Sequence, residues 1–85
     1  MEVFYSSRFR RLYKKIQPEI RRLFKEKEKL FVDSPFNPKL KTHKLSGKLD
    51  PFWAFSVTNS CRVMFHFADD KTVWFIEIGD HDIYD

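Results

Sequence analysis

Cysteine, glycine and long apolar runs are all scarce in this sequence. Its single cysteine, Cys61, cannot close an internal disulfide, which excludes the usual staple of small secreted domains and leads us to expect the cytoplasm. No Cys-x-x-Cys or His-x-x-x-His pair accompanies it, so Cys61, His43, His66 and His81 make no zinc pattern, and no bound metal is expected. Cys61 also has no local partner to activate it, so a half-buried, unreactive thiol is expected. The only two glycines, Gly47 and Gly79, read as turn residues outside any glycine-rich phosphate loop, and no small-molecule cofactor is expected. No apolar stretch approaches the roughly 20 residues of a membrane span. Residues 1 to 5 run straight into a charged segment with no signal-peptide pattern, so no membrane partner is expected.

What the chain does have is aromatic and basic. Ten Phe, three Tyr and two Trp within a 42% hydrophobic composition supply enough large side chains for a core, despite 33% charged residues. With 85 residues the chain cannot divide those side chains between two cores, so one domain, 1–85, is expected. Charge is unevenly placed. Residues 1 to 48 hold fourteen Lys and Arg against five acids, a net of +9; residues 49 to 85 hold two against seven, a net of −5. A field of that sign favours a polyanion or an acidic partner segment, although solvated helix faces would give the same count.

Hydrophobic periodicity outlines the elements. Residues 2 to 5 are short, aromatic and β-prone, and Ser6 and Ser7 follow as helix caps. Phe9, Leu12, Tyr13 and Ile16 form one apolar stripe of a basic helix. Pro18 starts a second helix, whose stripe runs through Ile20, Leu23, Phe24, Leu30 and Phe31. Pro35 and Pro38 mark an irregular connection, with loop expected from about residue 33 to 50. Residues 52 to 57, 62 to 67 and 72 to 78 read as three hairpin-connected strands.

Two-residue turns at Asn59-Ser60 and Asp69-Asp70 would put Phe52, Ala54, Ser56, Val63, Phe65, Phe67, Trp74, Ile76 and Ile78 against the helices. Trp53, Phe55, Met64, His66 and Phe75 would then lie on an uncovered face too apolar to be left to water, and Arg62 would sit opposite Glu77. The expected class is α+β: a short N-terminal strand, a helical hairpin, and a three-stranded antiparallel meander packed on the helices.

Four strings then bring a family into view: Thr42-His43-Lys44-Leu45-Ser46-Gly47-Lys48-Leu49; Phe52-Trp53-Ala54-Phe55-Ser56-Val57; Cys61-Arg62-Val63-Met64-Phe65; and Ile78-Gly79-Asp80-His81-Asp82-Ile83-Tyr84. In that order they resemble the RelE/ParE toxins of type II toxin–antitoxin systems, within them the RelE and YafQ branch of mRNA interferases, and the resemblance covers the whole chain. It implies a toxin that cleaves mRNA on the ribosome without a metal and is neutralised by an antitoxin protein. The RNA would supply its own nucleophile, a 2′-hydroxyl that attacks the adjacent phosphate.

On this resemblance His43, which opens the His-x-Leu-x-Gly loop, and His81, in the Gly-x-His-x-x-Tyr tail, are the proton-transfer residues. Arg62 contacts the scissile phosphate, for which a guanidinium's forked donors are suited. Tyr84 stacks on a base or aids proton transfer. Lys44, Lys48 and Trp53 are candidate RNA contacts, and Trp53, Phe55, Met64 and Phe75 candidate antitoxin contacts. Trp53 and Phe55 stand where the resemblance expects two catalytic lysines, and Ser56 and Ser60 where it expects a histidine and an aspartate. Two other readings therefore stay open: a ParE-type inhibitor of DNA gyrase, and a catalytically weak homologue whose main activity is binding its antitoxin.

Overall fold

A computed structural model of the chain describes residues 1–45 and 51–80. Strand β1 (Glu2–Tyr5) alternates, with Glu2 and Phe4 exposed and Val3 and Tyr5 packed on the core. Ser6 caps helix α1 (Ser7–Tyr13). Its Oγ accepts from the Phe9 N–H at 2.9 Å and donates to the Ile76 carbonyl at 2.7 Å, so one hydroxyl both starts the helix and ties it to the last strand. Beyond Tyr13 the backbone tightens through Lys15 N–H to Leu12 O and Ile16 N–H to Tyr13 O, yet Ile16 still packs on the core as its stripe position demands. Pro18, with no N–H to leave unpaired, opens helix α2 (Pro18–Asp33), and Glu19 complements the positive end of its dipole. Phe24 and Phe31, two turns apart on one face, are both buried.

The expected loop contains two short elements. A 3-10 turn at Pro38–Leu40 is capped by Asn37, whose Oδ1 accepts from the Lys39 N–H at 2.9 Å, and it buries Leu40 completely. Lys41 follows in the left-handed region at φ 52°, and strand β2 (His43–Lys44) comes next. With β3 (Trp53–Ser56), β4 (Arg62–Asp69) and β5 (Thr72–Gly79) it completes, among the described residues, a five-stranded sheet in the order β1-β5-β4-β3-β2. Only β1 runs parallel to its neighbour, β5. The α+β class and the meander hold; β1 and β2 extend the meander on either side. Among the described residues no helix is long and apolar enough to cross a membrane.

The expected facing of the sheet is corrected. Ser56 pairs with Arg62, leaving the five residues 57–61 to close the β3–β4 connection, with Val57 N–H donating to the Cys61 carbonyl. Thr72 pairs with Asp69, so the second turn is Asp70-Lys71. A shift of one residue moves every side chain of a strand to the other face. Trp53, Phe55 and Val57 of β3, and Val73 and Phe75 of β5, accordingly pack against the helices, while Ala54 and Trp74 lie on the opposite side. Val63, Phe65 and Phe67 of β4 face the helices as expected, and so does Ile78 of β5, because the interruption at Met64/Phe65 restores the expected alternation at that end of the strand. Interruptions at Met64/Phe65 and Phe67/Asp69 put Glu77 opposite Met64 and Gly79 opposite Arg62, so the expected Arg62–Glu77 cross-strand pairing is replaced.

The core is a nest of rings. Among the described residues Phe75 lies within 6.3 Å, centroid to centroid, of Tyr5, Phe9, Phe24, Phe31, Phe55 and Phe65. At its margin the Tyr5 hydroxyl donates to a Glu28 carboxylate oxygen. Burial, reinforced by that hydrogen bond and by the negative charge of Glu28, raises the Tyr5 pKa far above its ordinary value, with Arg10 opposing. Because the unfolded tyrosine then loses its proton first, this group contributes stability fully below about pH 10 and progressively less above it. Tyr5→Phe is expected to flatten the alkaline fall of the melting temperature above about pH 10. Parallel curves for the variant and the wild type would refute the linkage.

Candidate functional site

The sheet face turned away from the helices carries the polar chemistry. Register puts two rows of side chains side by side across it. One row runs His43, Ala54, Met64, Glu77; the next holds Ser56 opposite Arg62, with Gly79 beyond. From strand and residue spacings, the Cα atoms of His43 and Arg62 are roughly 12 Å apart, near enough for both side chains to reach one phosphate between them. Two residues further along the strands the same face becomes aromatic: Phe4 stacks on Trp74 at 5.1 Å, and Phe52 meets the His66 ring edge-on at 5.7 Å. Glu77 accepts from Arg8 Nε at 2.6 Å, an ion pair spanning most of the chain that no local pattern could announce.

His43 is exposed, and its Nδ1 lies 3.0 Å from the Lys41 carbonyl. A carbonyl can only accept, so this bond places the proton on Nδ1 and leaves the Nε2 lone pair of the neutral ring available as a base. The left-handed turn at Lys41 is what aims that carbonyl, at a cost of about 1 kcal/mol for a residue with a Cβ. Arg62 is half-buried at the start of β4, which limits its side chain to few directions. Cys61 is buried, and desolvation, aided by Asp80 and opposed by the Gly79 backbone, pushes its thiol up to about 11. A thiol so held stays protonated near neutrality and is no nucleophile.

The structure thus brings His43 and Arg62 onto one face and separates other candidates from them. Phe55 and Phe75 are wholly buried beneath the helices and offer no surface to a partner; Trp53 is half-buried on that same side, edge-on to Phe36 and Phe67. Met64 does lie on the polar face but is only 5% exposed. Lys44, opposite Trp53, belongs to the helix side of the sheet edge. Lys48, His81 and Tyr84 lie outside the described residues. Trp53 and Phe55 therefore do not stand at positions that face the site; the site-facing residues of β3 are Ala54 and Ser56, also uncharged.

On the helix side a second feature stands out, a cavity of about 380 Å³ lined by Tyr5, Phe9, Tyr13 and Phe24 with Arg10, Lys14 and Lys25 around it. The Arg10 guanidinium lies 5.9 Å from the Tyr5 ring centre, and that of Arg21 at the same distance from Tyr13.

Neither a protein-family model nor a curated protein matches the sequence. Solved structures do resemble it. YafQ from E. coli strain BL21(DE3) superposes with a TM-score of 0.82 at 18% identity, covering 98% of this chain and 96% of YafQ. The YoeB/ParE toxin from Agrobacterium tumefaciens gives 0.80 at 14% identity, over 95% of this chain and 99% of that one. A chain of the E. coli DinJ–YafQ toxin–antitoxin complex gives 0.78 at 19%, over 96% and 93%. End to end, then, this chain has the RelE-like α+β fold found in the YafQ and YoeB/ParE toxins.

Proposed function

We propose that the chain is the toxin of a type II toxin–antitoxin pair, a metal-independent endoribonuclease that cleaves translated mRNA on the ribosome in the cytoplasm. The observation that carries this reading is the pairing of His43, with Nε2 available, and Arg62 on one face of a RelE-like sheet. In the proposed reaction His43 Nε2 takes the proton of the 2′-hydroxyl, and the 2′-oxygen bonds to phosphorus as the bond to the 5′-oxygen breaks. The products are a 2′,3′-cyclic phosphate and a 5′-hydroxyl. The leaving oxygen needs a proton, and with His43 as the base that role falls to His81, the other proton-transfer histidine of the sequence resemblance. Arg62 stabilises charge on the phosphoryl oxygens. Primer extension on cellular mRNA after induction tests this: cuts phased with codons inside translated regions are expected, and intact message with arrested growth would overturn it in favour of a non-nuclease toxin such as a gyrase inhibitor.

An antitoxin partner fits the same reading, on a surface other than the one the sequence suggested. With Phe55 and Phe75 buried, the aromatic cavity beside α1 and α2, rimmed by Arg10, Lys14 and Lys25, suits an acidic antitoxin segment with an apolar anchor. Lys14→Glu with Lys25→Glu should weaken antitoxin binding by roughly tenfold or more at low salt, through like-charge repulsion. Unchanged affinity by calorimetry would move the partner elsewhere.

A further inference from the structure

A smaller cleft of about 200 Å³ opens where the end of β3 meets the 3-10 turn and α2, lined by Lys27, Lys39, Lys41, Ser56, Thr58 and Asn59 together with Val57. Two segments of the chain deliver its lysines, Lys27 from α2 and Lys39 and Lys41 from the 3-10 turn and its C-cap, and none of the described lining residues is acidic. Among the described residues none of the three forms a salt bridge. Three ammonium groups held together against their mutual repulsion are a cost to the folded chain that an anion would remove. The hydroxyl side of the cleft is fixed in place: Thr58 Oγ1 accepts from the Ser60 and Cys61 N–H groups at 3.2 and 3.0 Å, so its own proton is left to donate.

The cleft also adjoins the site. The β2–β3 register, continued by two residues, brings Lys41 beside Ser56, and Ser56 pairs with Arg62. A line of donors thus leads from Arg62 across Ser56 and over the sheet edge to the lysines. We propose that this cleft seats a backbone phosphate of single-stranded RNA next to the one held by Arg62, so that the RNA crosses the sheet edge between the 3-10 turn and residues 57–61. The proposal rests on the nuclease reading above for its substrate class. It adds where the strand leaves the site and which residues hold it there.

The test is direct binding of a 2′-O-methyl RNA tetranucleotide, which lacks the attacking hydroxyl, to the full chain at increasing KCl, followed by fluorescence anisotropy. Replacing Lys27, Lys39 and Lys41 together by Gln should weaken binding roughly tenfold, as expected for lost charge-assisted contacts, and should make the log–log salt slope shallower by about 0.7, the value for one phosphate on a single strand. Unchanged affinity and slope in the triple variant would overturn the subsite. So would a variant that binds RNA normally but has lost antitoxin affinity, which would make the cleft a peptide site. Inorganic phosphate that competes as tightly per charge as the tetranucleotide would also count against it, since the cleft would then be an isolated anion site. The subsite and the nuclease reading fail separately: tetranucleotide binding that depends on the lysines in a chain that cuts no message would sustain the subsite alone. Wild-type cutting with an unchanged KM in the triple variant would sustain the nuclease alone.

Discussion

Phe75→Ala should leave little folded protein in the absence of a partner. Phe75 sits on β5, the strand between β1 and β4, and touches rings from β1, both helices, β3 and β4, so nothing nearby can collapse into the space it leaves. Removing a buried Phe costs about 3–5 kcal/mol when the cavity persists. At about 0.05–0.15 kcal/mol per residue, the whole chain is stable by on the order of 4–13 kcal/mol, so the loss is comparable to the total. A urea titration followed by circular dichroism should show the transition midpoint collapse toward zero denaturant. Phe36→Ala is the control, because that ring is 57% exposed and its loss should move the midpoint little. Similar midpoints for the two variants would mean that the ring nest is not the centre of stability.

The second large effect is on rate. If the proposed mechanism holds, His43→Ala and Arg62→Gln should each slow cleavage of translated mRNA by about 100- to 10,000-fold, the usual cost of losing a general base or an anchored phosphate contact. Both side chains lie on the sheet face away from the helix groove, so antitoxin affinity and the urea midpoint should stay near wild type. That combination separates chemistry from folding. Arg62→Lys should recover only part of the rate, since an ammonium keeps the charge but not the two-pronged geometry. Wild-type cutting by a folded His43→Ala, Arg62→Gln double variant would place the reaction elsewhere on the domain.

Much of this architecture can be read from side-chain spacing, and the exceptions have definite causes. The helical stripes through Phe9 and Tyr13 and through Phe24 and Phe31 repeat over enough turns to be unambiguous, and the three meander strands are separated by polar clusters. The facing of β3 and of residues 73–75 of β5 was not legible. Both sides of β3 are rich in apolar residues, with Phe52, Ala54 and Val57 among them, so only the turn length could decide, and Asn59-Ser60 looks like a two-residue turn while the chain spends 57–61 there. Strand β2 has two residues, too few for any period to register, and yet it is the element that places His43. Membership of His43 and Arg62 in one site came from family resemblance; the orientation of the His43 ring came from a backbone turn at Lys41 that no residue type advertises.

The parallel pairing of β1 with β5 has a consequence for how the chain comes into being. Glu2 finds its partner at Thr72 and Tyr5 at Phe75, and α1 is fastened to Ile76, so β1 and α1 must wait for β5, some 70 residues later, to be made. Closing a loop of that length is slow compared with forming a local hairpin. Strand β4 likewise lacks one neighbour until β5 emerges, which leaves the face bearing Arg62 without a finished sheet beneath it. Until β5 has cleared the exit tunnel the sheet lacks the strand that joins β1 to β4, so the domain cannot acquire its shape before then.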